Sequence, residues 1–210
     1  MELQFYGANC FRIGNKKTSV IYDDNLEALG AKSVTKKEDV AAYSQRSFVD
    51  QKAAQEASFL IDGPGEYEIG DISIIGVSAR SHMDEENAHK TATIYKLVIE
   101  DMVVVFLGHI YPELSDDQLE ALGMVDVLVT PVGGNGYSLD SVGALQVIRK
   151  IEPKIVIPSH YDMKEVNYPV PQAPLDEFVK AIALEPEKTS KLKLKKSDIS
   201  DQLKLIVLES

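Results

Sequence analysis

Short apolar runs separated by Gly, Asn or Asp dominate the first half of the chain. The β-branched and aromatic stretches at 3–6, 10–13, 18–22, 59–62, 67–69 and 72–77 have the length and boundaries of strands. Together they predict a predominantly antiparallel sheet. Between 24 and 57 the pattern is weaker, with 40–43 readable as a buried strand and 50–57 as a short helix. Residues 91–100 and 102–107 form a further strand pair turning at Asp101.

The rhythm then changes. Ser115-Asp116-Asp117-Gln118 has the spacing of a capping box, with Leu119 and Leu122 behind it, and predicts a helix start. The apolar run 125–130 suits a strand covered on both faces. Val142, Leu145, Ile148 and Ile151 recur as an amphipathic helix, 154–158 returns to strand, and Pro174 opens another helix through Leu175, Phe178, Val179 and Ile182. Strands at 192–194 and 203–208 close the chain. The helices need an apolar surface and the sheet needs a second sheet to bury its inner face. The order therefore predicts two sheet layers covered by helices, in one domain spanning 1–210.

Composition narrows the function. Of 210 residues 44% are hydrophobic, no apolar run approaches the length of a membrane span, and no basic-then-apolar leader opens the chain. A net charge of -11 works against nucleic acid and anionic membranes as partners, since both require a positive field. The single cysteine, Cys10, fits a reducing cytoplasm and reads as a small buried side chain. A small-molecule ligand is the partner this leaves open. Oligomeric state is not legible, because interface and core patches read alike in sequence.

Three of the four histidines fall where strands end: His82, His109 and His160. Ile155-Val156-Ile157 fixes the strand before His160 and Pro158 stiffens its exit; this histidine reads equally as a ligand and as a structural group bonded to a backbone carbonyl. His109 follows Gly108, which allows a sharp turn. His82 sits in a polar loop and reads as exposed, and His89 beside Lys90 as solvated. Three imidazoles can hold zinc with a position open for water, but no His-x-His or His-Glu-x-x-His element supplies two of them from one segment. Val132-Gly133-Gly134-Asn135-Gly136 lacks the phosphate-loop and dinucleotide spacings and reads as a tight loop.

Several of these segments, in order, resemble the metallo-β-lactamase superfamily: Gly7-Ala8-Asn9-Cys10-Phe11, Gly63-Pro64-Gly65-Glu66-Tyr67-Glu68-Ile69, Phe106-Leu107-Gly108-His109, the run from Val125 through Gly134, and Ile157-Pro158-Ser159-His160-Tyr161. The likeness is to its small, single-domain branch of zinc-dependent hydrolases. It implies an α/β fold, a four-layer αββα sandwich of two mixed sheets packed face to face with helices outside. It also implies a His-x-His-x-Asp-His loop after the strand at 40–43, and here the chain departs. Gln45 and Ser47 stand at the first two histidine positions, Val49 at the aspartate and Asp50 at the final histidine. In the same matching His82 is the third histidine of the first metal site, His109 stands for the aspartate bridging two metals, and His160 is the last histidine of the second.

An imidazole in place of the bridging carboxylate removes negative charge between two cations, and an isopropyl group at Val49 cannot coordinate. The resemblance with these losses implies a catalytically degenerate member with no cofactor, acting through binding or assembly. The alternative is a remade mononuclear site of His82, His109, His160 and Asp50 holding one Zn or Fe ion and hydrolysing an ester, amide or phosphoester. A third possibility is metal-free acid–base chemistry by His109 and His160, with Asp50 as orienter.

Overall fold

The computed structural model describes residues 1–85 and 90–210, so His89 lies outside the described residues. The first elements are β1 (Glu2–Gly7), β2 (Cys10–Gly14), β3 (Ser19–Tyr22), β4 (Val40–Ala42), α1 (Gln51–Glu56) and β5 (Phe59–Ile61). They are followed by β6 (Gly65–Ile69), β7 (Ile72–Ala79), β8 (Ala92–Ile99), β9 (Met102–Phe106), α2 (Asp116–Leu122), β10 (Val127–Pro131), α3 (Ser141–Ile151) and β11 (Ile155–Ser159). The chain continues through α4 (Leu175–Ile182), β12 (Pro186–Thr189), β13 (Leu192–Lys193) and β14 (Lys204–Leu208).

These strands form two mixed sheets, one of six in the order β13-β1-β2-β3-β4-β5 and one of eight in the order β12-β14-β11-β10-β9-β8-β7-β6. Packed face to face with helices outside, they make the αββα sandwich. Apolar side chains of both sheets meet between them, with Phe5, Phe11 and Tyr22 from one side and Tyr95, Val104 and Phe106 from the other. Phe11 and Tyr22 both touch Phe106, with ring centroids 5.8 Å and 4.5 Å away.

The six-stranded sheet is antiparallel at three of its five pairings, as expected, but the expectation of one antiparallel sheet for all the early strands is corrected. β3, β4 and β5 run parallel, while β6 and β7 belong to the other sheet. Parallel neighbours need long crossovers, and the chain supplies them: residues 23–39 link β3 to β4, and α1 lies between β4 and β5. Buried carboxylates hold the first crossover. Asp24 accepts from Ser33 Oγ, Val34 N, Thr35 N and Thr35 Oγ1 at 2.6–2.9 Å, and Asp39 pairs with Arg12 at 2.7 Å.

The capping box at α2 is present, with Ser115 and Gln118 bonded reciprocally. In α3 the apolar stripe is rotated from the expected one: Ala144, Val147, Ile148 and Ile151 face the core, whereas Val142 is 72% exposed. Spacings of three and four along one helix face explain the shift, since Val142 lies beyond the stripe that starts at Ala144. β12, Pro-Glu-Lys-Thr, has no apolar alternation to announce it and sits at a sheet edge, where polar side chains are tolerated.

Candidate functional site

Parallel strands β9, β10 and β11 end side by side, and open sheets place their sites beyond such carboxyl ends. His109 follows β9 and His160 follows β11. Both are only 3% exposed, and their rings meet edge to face with centroids 4.5 Å apart. The turn before each is sterically specified. Gly108 has φ +63°, and a Cβ there would come within 2.5 Å of Ser44 Cβ. Gly133, after β10, passes so close to His160 that a Cβ would lie 2.1 Å from its carbonyl oxygen. The Gly-rich loop is thus a tight loop, and its amides at Gly134, Tyr137 and Ser138 are spent on Leu139 and Gly134 carbonyls.

His160 is oriented by Gln172. The Gln172 amide nitrogen donates to the Val170 carbonyl at 3.0 Å, which turns its Oε1 toward His160 Nδ1, also 3.0 Å away. Nδ1 therefore carries the proton and Nε2 is the bare nitrogen. Burial drives the His160 pKa down to about 4 and holds that of His109 well below its ordinary value. Both imidazoles are neutral at pH 7.

His109 is enclosed by rings: Phe48 at 4.7 Å, Tyr137 at 5.2 Å and His160. Neither of its ring nitrogens has a hydrogen-bond partner among the described residues. Phe48 and Tyr137 also line an open cavity of about 1140 Å³, together with Gln45, Asp50, Ser81 and Thr93. The aromatic pair touches both this cavity and the His109 ring, and His109 itself is not among the lining residues.

The other sequence candidates are placed differently. His82 is half-buried rather than exposed, because its N–H donates to the His109 carbonyl and its ring lies against Tyr111, 5.8 Å away. Its Nδ1 is buried without a partner among the described residues. Asp50 is the N-cap of α1, accepting from Lys52 N and Ala53 N at 2.9 Å. Gln45 is bonded to Ser81 Oγ at 2.7 Å, and Val49 packs on the apolar cluster around Tyr43 and Cys10. Burial pushes the Cys10 thiol well above its ordinary pKa, as suits an inert core side chain.

Sequence reasoning missed Phe48, Tyr137 and Gln172, and also a buried polar chain beneath them. Ser159 Oγ donates to Asn9 Oδ1 at 2.7 Å, and Asn9 Nδ2 donates to Asp23 at 2.9 Å. Asp23 also accepts from Ser44 N at 2.7 Å and Ser44 Oγ at 2.6 Å. This ties the end of β11 to the ends of β3 and β4. Burial raises the Asp23 pKa to about 6 despite these bonds. A pair of carboxylates, Asp23-Asp24, directly after the apolar strand at 18–22 was the available signal.

A two-sheet αββα sandwich with loops and histidines gathered at the strand ends defines a metallo-β-lactamase-type protein. The chain belongs to the β-lactamase superfamily, whose domain model matches residues 2–160. A protein of Salinibacter ruber named a metal-dependent hydrolase is 34% identical over 84 residues, 40% of this chain and 35% of that protein. One of the same name from Carboxydothermus hydrogenoformans is 37% identical over 60 residues, 29% and 24% of the two chains. The aligned part of this chain thus spans about a third or less of these relatives' length. Among solved structures, a protein of Thermotoga maritima described as a Zn-dependent hydrolase of the metallo-β-lactamase superfamily superposes with TM-score 0.78. It is 24% identical, with 99% of this chain and 97% of that one covered. A metallo hydrolase of Ignicoccus hospitalis gives TM-score 0.65 at 16% identity, covering 92% and 99%.

A metal centre of the family's kind needs several convergent lone-pair donors. The one unprotonated ring nitrogen of His109, which has no partner among the described residues, and the bare Nε2 of His160 each offer a lone pair to a metal. Yet among the described residues no group of three or more His, Cys, Asp or Glu side chains could hold a metal ion. Phe48 packs on His109, and the Asp50 carboxylate is engaged by the helix cap. The donor set does not fit a dinuclear centre.

Proposed function

We propose that this chain is a catalytically degenerate member of the superfamily, a binding protein that keeps the scaffold and the cavity and uses them for a small molecule. The observation that carries the reading is Phe48, whose ring rests on His109 in the loop where the resemblance calls for metal ligands. A hydrocarbon ring there offers no lone pair to a cation and packs against the buried His109 imidazole. The cavity that remains mixes apolar and polar walls, Phe48 and Tyr137 against Gln45, Ser81 and Thr93, as small-molecule sites do.

A second reading draws on the same buried nitrogens: a hydrolase with a remade single-metal site, acting on an ester, amide or phosphoester. His82, His109 and His160 would be its ligands and Asp50 its base. It requires His82 to swing from Tyr111 and Asp50 to leave the N-cap of α1. Screening ester, amide and phosphoester substrates, with the protein as purified and after zinc or iron loading, separates the two. The binding reading expects no turnover above that of a Phe48→Ala, His109→Ala double variant. Zinc- or iron-dependent turnover lost in His109→Ala would overturn it.

A further inference from the structure

The two sheets end on the same side of the sandwich. β5 closes the six-stranded sheet and β6 the eight-stranded one, with only Asp62, Gly63 and Pro64 between them. An edge strand presents unpaired N–H and C=O groups, and proteins ordinarily guard such edges with charge or proline. β6 is guarded, since Glu66 and Glu68 alternate along it and are exposed. β5 is not: its sequence is Phe59-Leu60-Ile61, with Phe59 50% and Leu60 37% exposed.

A cavity of about 390 Å³ opens between the two edges, lined by Val40, Phe59, Tyr67 and Ile69 with Glu68 beside them. Phe59 and Tyr67 lie across it with ring centroids 6.4 Å apart. Phe59 is in register with Val40, a buried core residue, so the space is a notch opening into the sandwich interior.

We propose that this side is a docking surface for an extended, alternating basic and apolar segment of another protein, which adds as a strand to β5. Such a strand gains main-chain hydrogen bonds along the edge, and alternate side chains then set specificity. An apolar side chain fills the notch between Phe59 and Tyr67, and lysines or arginines meet Glu66 and Glu68. Charge complementarity selects this occupant over a second copy of the chain. A two-fold contact brings a patch against itself, and here that would set Glu66 and Glu68 against their own copies in a chain of net charge -11. The surface uses none of the histidine pocket and stands whether or not that pocket binds a ligand.

The test uses the full chain and a fluorescein-labelled peptide, Lys-Val-Lys-Val-Lys-Phe-Lys-Val-Lys-Val, with its counterpart carrying glutamate for every lysine. The lysine peptide is expected to bind at least about tenfold more tightly, and Glu66→Lys with Glu68→Lys to weaken it by about the same factor. The matched change at the opposite edge of the same sheet, Glu185→Lys with Glu187→Lys, is expected to leave binding within about twofold. Amide shifts are expected in β5 and β6, and Phe59→Ser should abolish them. No binding by either peptide, equal losses from the two charge changes, shifts confined to other strands, or self-association lost in Phe59→Ser would each overturn the proposal.

Discussion

The His109 and His160 imidazoles stand edge to face, planes 87° apart and centroids separated by 4.5 Å, both buried and both neutral. A buried neutral histidine must be charged when the protein meets acid. His160, held at about 4 in the fold against about 6.5 in an unfolded chain, contributes stability that is present above pH 6.5 and lost as pH falls through 4. That is at most about 3 kcal/mol, and His109 adds to it in the same direction. Asp23 works oppositely. Its pKa, raised to about 6 from about 3.9 unfolded, gives a contribution present below pH 4 and lost as pH rises through 6, also about 3 kcal/mol at most.

Denaturation midpoints between pH 7.5 and 4 read this balance. The wild type should lose stability on acidification because two histidines oppose one carboxylate. His160→Asn, which tolerates the φ of +50° at this position, should flatten the slope whatever it does to the overall level. Asp23→Asn should steepen it. A wild-type midpoint that rises from pH 6.5 to 4 would contradict the assignment.

Gln172 fixes which nitrogen of His160 is protonated. Replacing it with leucine removes the acceptor of a buried N–H and should cost about 1–3 kcal/mol. In nitrogen-15 spectra the Nδ1–H form of His160 should give way to a tautomer mixture. An unchanged tautomer would show that another group sets it.

Two left-handed glycines should respond differently to alanine. At Gly108 the new Cβ meets Ser44 Cβ at 2.5 Å on top of the backbone cost, whereas at Gly136, φ +72°, nothing lies within 4 Å. Gly136→Ala should cost about 1 kcal/mol. Gly108→Ala should cost several times more, read as a difference in urea midpoints.

The exposed face of α3 offers a parallel contrast. Val142→Lys should change stability by less than about 0.5 kcal/mol. Val147→Ala, in the core beneath the same helix, should cost about 2 kcal/mol. A larger loss at Val142 would mean that its side chain is covered in solution.

Strands and capped helices were legible because their signals are local. Short runs of β-branched and aromatic residues cut by Gly, Asn or Asp marked the early strands, and the Ser115–Gln118 box marked α2, whereas α1 fell in the weakly patterned stretch 24–57. Sheet membership was not. β5 and β6 are three residues apart in sequence yet end different sheets, a choice made by pairing with distant strands. The surviving histidines were found because polar residues at apolar strand ends stand out. Phe48 was not, since a lone aromatic beside Val49 in a polar loop reads the same whether it fills a core or a pocket. Gln172 lies beyond a Pro-Val-Pro run, and nothing local connects it to His160.

The proposed reading holds that the pocket lacks the donors to hold a cation, with Phe48 packed on His109 beside Gln45, Ser47 and Val49, which stand at positions where the resemblance calls for ligands. Cobalt(II) titration followed by visible absorption tests it most directly. The wild type is expected to show no intense tetrahedral d–d bands at excess cobalt, and Phe48→His, which places a third imidazole against His109, should gain them at a single saturating site. Intense bands in the wild type would contradict the account.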